Sequence, residues 1–150
     1  MRNTLRWGSI ALFAALSVFL LLFGVLYASV RDFLPFHAAA APSPALEGMR
    51  PLYLALMKLI GGASAALGLL GLYVTFGPIR SGASAAALAV AGAFASAFVM
   101  AAYVAETLAR ATNAPTSWHI MGVLLALTAA ALVAHFAAAR MRPASPINSL

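Results

Sequence analysis

The sequence has 150 residues, of which 64% are hydrophobic and 8% are charged, and its mean hydropathy is +0.98. Soluble domains carry about 25% charged residues, so this chain has too few polar side chains to cover a water-facing surface. Disordered chains are poor in apolar residues and are excluded by the same composition. Because the sequence has no cysteine, disulfide exchange and thiolate metal centres are excluded as well. We therefore expect an integral membrane protein.

The chain contains nine lysine and arginine residues and has a formal net charge of +6. These basic residues are mostly single and far apart, so they cannot form the clustered basic patch that nucleic-acid binding requires. Attraction to anionic lipid headgroups and control of membrane topology explain them better. Membrane lipids, and not nucleic acid, are therefore the expected partners.

Four apolar stretches follow one another along the chain, at about residues 7–30, 52–76, 84–108 and 118–139. Each is long enough to cross a hydrocarbon core of about 30 Å as a helix. A proline-containing outer loop, 31–51, separates the first two spans, and a short tail, 140–150, follows the last. The sequence thus predicts a single all-α domain over 1–150, an antiparallel up-down bundle of four membrane helices.

Basic residues near the span ends predict how this bundle is oriented. One side would carry five arginines and no acid, and the other would carry three arginines beside all three acids. The five are Arg2, Arg6, Arg80, Arg140 and Arg142. This bias favours cytoplasmic N- and C-termini in a multi-pass protein of the bacterial inner (plasma) membrane.

Small residues recur on one face of the second and third spans. The second span carries Gly61, Ala65 and Gly68, and the third carries alanine at every fourth position, including Ala89, Ala93 and Ala97. Such spacing lets helix backbones approach closely in lipid. Three interpretations stay open: a contact between these two spans, a surface for another subunit or a homo-oligomer, or chance in an alanine-rich chain.

Ionisable side chains inside a membrane are costly and point to function. Lys58 lies within the second span and Glu106 lies near the outer end of the third, so an ion pair between the two helices is expected. The alternatives are that Lys58 extends toward the interface and that Glu106 pairs with Arg110 four residues later. With Tyr103 and His119 at similar depth, these residues would form an outer-leaflet site for a lipid, quinone or other amphiphile.

Motifs for hydrolysis or phosphoryl transfer are absent from the sequence, and no catalytic residue is expected. Thioether and imidazole groups that a cuprous ion accepts occur at similar outer depth. They are Met57, Met100 and Met121, with Met49 and His37 in or near the outer loop. Methionine is an ordinary filler of apolar cores, so we expect neither a metal site nor a cofactor.

Two stretches carry a family resemblance. They are Arg50-Pro51-Leu52-Tyr53 with Gly61-Gly62, and the segment from Thr112 to Trp118 (TNAPTSW). Both resemble signatures of small DoxX-like four-helix membrane proteins of bacteria. The resemblance covers residues from about 50 to 135 and implies an inner-membrane four-helix bundle of unassigned activity.

The leading functional hypothesis is a non-enzymatic accessory subunit, or helix-packing partner, of a larger membrane assembly. The second hypothesis is the outer-leaflet amphiphile site built around Lys58, Glu106 and His119. A small membrane enzyme, a transporter component or a copper-handling protein comes third.

Overall fold

The computed structural model describes residues 1–38, 43–112 and 116–141. All regular elements in these ranges are helical: α1 (Arg2–Ala28), α2 (Pro35–Ala38), α3 (Ser43–Val74), a π-helical turn (Thr75–Ile79), α4 (Ser84–Thr112) and α5 (His119–Arg140). In the described chain, 4 helices are long and apolar enough to cross a membrane. The predicted all-helical class and the four candidate membrane-spanning helices are therefore confirmed.

The helices extend past the predicted spans because a helix continues into polar sequence, where hydropathy gives no signal. α1 begins at Arg2 and α4 runs to Thr112. The largest difference is at α3, which begins at Ser43, inside the segment 31–51 predicted as a loop. Pro51 lies within α3, where proline has no N–H group to donate to the helix. Of the predicted tail, residues 142–150 lie outside the described chain.

The connection from α3 to α4 combines a π-helical turn with a glycine-terminated helix end. Pro78, which has no N–H group, lies inside the π-helical turn. The N–H of Ala83 donates to the carbonyl of Pro78, and the N–H of Gly82 donates to the carbonyl of Ile79, both at 2.9 Å. Gly82 has φ 97°, a left-handed conformation that suits glycine. These are the two bonds of a Schellman motif, which ends the helix and reverses the chain.

α1 and α3 pack with their backbones in contact. A Cβ built on Gly61 would lie 2.3 Å from the amide nitrogen of Ala28 and 2.6 Å from the carbonyl oxygen of Gly24. A Cβ built on Gly24 would lie 2.3 Å from the amide nitrogen of Ala65, and one on Gly68 would lie 2.5 Å from another α1 amide nitrogen. Gly24, Gly61 and Gly68 permit this approach because they have no Cβ.

Of the three interpretations of these small residues, the contact between the second and third spans is wrong, because Gly61, Ala65 and Gly68 pack against α1. On α4, Ala89 and Ala93 are exposed. The repeat on α3 fits α1 because Gly24 supplies a second site of close approach at the matching height. A small-residue pattern predicts close packing but does not select the partner.

The remaining contacts place α1 between α3 and α5, with α4 packed on α5. The Ser9 hydroxyl on α1 donates to the carbonyl of Ala131 on α5 at 2.8 Å. Phe13 and Phe94, both 0% exposed, form the centre of the core. α3 and α4 touch little beyond the turn that joins them. The space left between these two helices positions the candidate site.

Candidate functional site

The expected ion pair between Lys58 and Glu106 does not form. Glu106 instead accepts a 2.8 Å hydrogen bond from Nε of Arg110, four residues later on the same helix. Lys58 is exposed and belongs to neither of the ion pairs found in the described chain. The physical reason is the separation of α3 and α4, since a partner on the same helix is closer than one across the gap.

The other two predicted site residues also lie on the outside of the bundle. Tyr103 is 66% exposed. His119 is exposed, stacks on Trp118 with ring centroids 4.5 Å apart, and shares a hydrogen bond through Nδ1 with the Ser117 hydroxyl. The four predicted residues are therefore not brought together into one site.

A cavity of about 400 Å³, here called the large cavity, lies between α3 and α4 with α1 as its floor. Its volume falls within the range of about 300–1,000 Å³ that small-molecule sites occupy. Its walls are formed by Phe19, Leu20, Phe23, Tyr27, His37, Met57, Ile60, Ser64, Ala97, Phe98, Met100, Ala101, Val104, Ala105, Leu108, Thr116 and Met121. None of these described wall residues is Lys, Arg, Asp or Glu.

A row of aromatic rings from α1 forms the floor of the large cavity. Phe19 and Phe23 have ring centroids 6.0 Å apart, and Phe23 stacks on Tyr27 at 4.1 Å. Phe98 of α4 meets Phe19 edge-on at 6.3 Å. The three α1 rings are spaced four residues apart in sequence, which places them on one helix face.

Tyr53 of α3 fastens the segment before and within α2 over one end of the large cavity. Its hydroxyl accepts the N–H of Leu34 at 3.1 Å and lies 2.9 Å from Nδ1 of His37. Its ring also packs against Phe33, with centroids 4.5 Å apart. Because the hydroxyl already accepts from Leu34, its own proton can be donated to Nδ1 of a neutral imidazole. This network places His37 in the cavity wall.

The segment before and within α2 also contains an ion pair and a partly buried histidine. The Arg50 guanidinium lies 3.7 Å from the Asp32 carboxylate and donates to the carbonyl of Arg31 at 3.3 Å. Burial lowers the pKa of His37 below its ordinary value of 6.5. The imidazole at the large cavity is therefore neutral at pH 7.

The structure brings together several of the residues considered for copper. Met57, Met100, Met121 and His37 all line the large cavity. Met57 is buried, whereas Met100 is 60% exposed. In the described part of the chain, no group of three or more His, Cys, Asp or Glu side chains could hold a metal ion. The thioether groups thus surround one space without a carboxylate or a second imidazole beside them.

The sequence analysis does not predict Phe19, Phe23 and Tyr27 as site residues, because it relies on charged side chains to locate a site. The usable signal was their spacing, which predicts a continuous aromatic face on the first helix. His37 was considered only as a copper ligand. Its position depends on Tyr53, sixteen residues away, and no local pattern encodes that contact.

Comparisons with protein-family models, with curated proteins and with solved structures found no match for this chain.

Proposed function

We propose that this protein binds an uncharged amphiphile of the quinone class in the large cavity. The observation that carries the proposal is a space of about 400 Å³ between α3 and α4, walled almost entirely by apolar side chains. Such concave apolar sites with a few polar groups are typical of small-molecule binding.

The polar groups of the large cavity favour an uncharged head group. The described wall residues include Tyr27, His37, Ser64 and Thr116 but no lysine, arginine or carboxylate. A charged head group would lose its hydration here without gaining a counter-ion, which is costly in an apolar site. A quinone carbonyl only accepts hydrogen bonds, and the Tyr27 and Ser64 hydroxyls can donate them. Lys58 is not part of this site.

The shape of the large cavity favours a planar ring with an apolar tail. The floor of Phe19, Phe23 and Tyr27 offers stacked ring faces, and aromatic groups gain from offset or edge-on contact. Ile60 and Val104 line the cavity while being 43% and 58% exposed, so the cavity reaches the outer surface between α3 and α4. A tail can therefore leave sideways into lipid.

The membrane setting of this site is part of the proposal. We place the four helices up and down across a bacterial inner membrane, with both termini in the cytoplasm. The excess of arginine near Arg2, Arg80 and Arg140 supports this orientation under the positive-inside rule. The large cavity, beside Tyr27 and α2, would then open to the outer leaflet.

A matched pair of substitutions on α4 tests the proposal. Ala101→Phe adds a ring to the wall of the large cavity, whereas Ala93→Phe adds the same ring at an exposed position of the same helix. The full chain would be purified from bacterial membranes in mild detergent, and bound small molecules would be extracted and quantified by mass spectrometry. We expect a quinone with the wild type and with Ala93→Phe, and its loss with Ala101→Phe. Equal retention by both variants, or charged phospholipid as the sole bound molecule, would contradict the proposal.

One observation favours a second candidate, a cuprous-ion site. Met57, Met100, Met121 and His37 face one space, and soft thioethers with imidazole suit Cu(I). Titration with Cu(I) against a chelator of known affinity would test it. Binding that Met57→Leu weakens and the exposed Met49→Leu preserves would support copper over the quinone proposal.

The accessory-subunit hypothesis is favoured by the outward face of α4. Ala85, Ala89, Ala93 and Ser96 are exposed, and a Cβ built on Gly92 would meet nothing within 4 Å. Another helix could approach this surface closely. Native mass spectrometry of Gly92→Leu tests it, because a subunit docked there would dissociate while a lone wild-type monomer would contradict the hypothesis.

A further inference from the structure

A second cavity, here called the basic cavity, lies where the start of α1 meets the α3–α4 turn and the end of α5. Its volume is about 250 Å³, and its wall includes Arg2, Arg6, Ile79, Gly82 and His135. It shares no wall residue with the large cavity. His135 is 6% exposed, so its imidazole is a buried part of a cavity that two arginines also line.

Two arginines line the basic cavity, and no carboxylate of the described residues lines it with them. Arg2 and Arg6 are four residues apart on α1, a spacing at which like charges repel each other. Nη2 of Arg6 donates to the carbonyl of Arg80 at 2.7 Å, which holds its guanidinium beside the residue that follows the π-helical turn. A guanidinium has five N–H donors, so this contact leaves several for a ligand.

The start of α1 adds to this positive field. A helix N-terminus carries a partial positive charge and favours acidic residues, yet the first turn of α1 contains none and Met1 provides no side-chain cap. The acids of the chain are Asp32, Glu47 and Glu106. Asp32 pairs with Arg50, Glu106 pairs with Arg110, and Glu47 lies near the start of α3, at the opposite end of that helix from Ile79. No carboxylate of the described residues lines the basic cavity, which leaves its positive charge open to an anion from outside the described chain.

We propose that the basic cavity binds a phosphate group, either the headgroup phosphate of a lipid or free phosphate. Arg2 and Arg6 donate charge-assisted hydrogen bonds to its oxygens, the pairing for which guanidinium groups are suited. His135 closes the inner wall. The anion offsets the repulsion between the two arginines and the partial positive charge at the N-terminus of α1. This proposal does not depend on the occupant of the large cavity.

Arg2→Gln and Arg140→Gln form a matched test, because each removes one positive charge from the same end of the bundle. Arg2 lines the basic cavity, whereas Arg140 is exposed and does not. Native mass spectrometry of the full chain in detergent would follow titration with phosphatidylglycerol, and with diacylglycerol of the same acyl chains as the phosphate-free comparison. We expect Arg2→Gln to weaken binding of the first phosphatidylglycerol about tenfold, with Arg140→Gln close to the wild type. Arg6→Gln should act like Arg2→Gln.

A competition with inorganic phosphate identifies the source. Displacement of phosphatidylglycerol by millimolar phosphate would assign the site to free phosphate as well, and its failure would assign the site to the lipid headgroup. Equal weakening by Arg2→Gln and Arg140→Gln would show diffuse surface attraction and overturn the proposal. Equal affinity for phosphatidylglycerol and diacylglycerol would overturn it too. Unchanged melting temperatures of the variants in phosphate-free detergent would show that folding is not the cause.

Discussion

The backbone contact between α1 and α3 predicts opposite effects for two neighbouring glycines. A Cβ on Gly61 would lie 2.3 Å from the amide nitrogen of Ala28, against about 3.4 Å for an ordinary contact, so the helices must separate by about 1 Å. A Cβ on Gly62 would meet nothing within 4 Å. Both substitutions to alanine gain roughly 0.5–1 kcal/mol of helix stability, whereas overpacking costs about 1–3 kcal/mol. Gly61→Ala should therefore be less stable than Gly62→Ala by about 1–3 kcal/mol.

Thermal unfolding in detergent, followed by tryptophan fluorescence, measures this difference. At about 2–4 °C per kcal/mol for a chain of this length, the two melting temperatures should differ by roughly 2–12 °C. Gly24→Ala combined with Gly61→Ala should cost less than the sum of the single changes, because both act on one helix separation. Equal melting temperatures for Gly61→Ala and Gly62→Ala would refute the close packing of α1 on α3.

Three further predictions concern membrane topology and the segment that Tyr53 fastens over one end of the large cavity. In this cysteine-free chain, Ser29→Cys should react with an impermeant maleimide in intact cells, and Ser81→Cys should react only after lysis. The reverse pattern would invert the proposed orientation. Tyr53→Phe removes the hydroxyl that accepts the Leu34 N–H, so it should lower the free energy of unfolding by about 1–3 kcal/mol, measured by thermal or denaturant unfolding. An unchanged free energy of unfolding would contradict this hydrogen bond. Because burial lowers the pKa of His37, folding favours the neutral ring. The contribution of this ring to the free energy of unfolding is fully present above pH 6.5 and is lost as the pH falls through the lowered pKa. Melting temperatures at pH 7.5 and pH 5 should show this loss in the wild type and a smaller one in His37→Gln, and equal losses would contradict it.

Much of the architecture follows from the sequence because lipid leaves few structural choices for an apolar stretch. A segment such as 84–108 must satisfy its backbone hydrogen bonds internally, which predicts a helix from composition alone. The end of α4 at Thr112 and the start of α3 at Ser43 were missed, since helix formation outside the apolar core depends on local contacts.

The candidate site was predicted less well, for a physical reason. Because charge inside a membrane is rare and costly, the sequence predicts a site centred on Lys58 and Glu106. In the structure Lys58 is exposed, and Glu106 pairs with Arg110 on its own helix. The large cavity instead arises from which helices pack together, and Gly24 against Gly61 is a long-range match that no single segment contains.

The most direct test of the central claim is quinone binding reported from within the large cavity. Ile60→Trp places an indole in its wall, and Leu59→Trp places one at the neighbouring exposed position, each with Trp7 and Trp118 replaced by Phe. Decylubiquinone, which quenches indole fluorescence at short range, would be titrated into each variant in lipid nanodiscs. If decylubiquinone occupies the cavity, the fluorescence of Ile60→Trp should be quenched to saturation. The fluorescence of Leu59→Trp should fall linearly, as expected when the quinone only partitions into the lipid. Linear quenching of equal slope in both variants would contradict binding at this site.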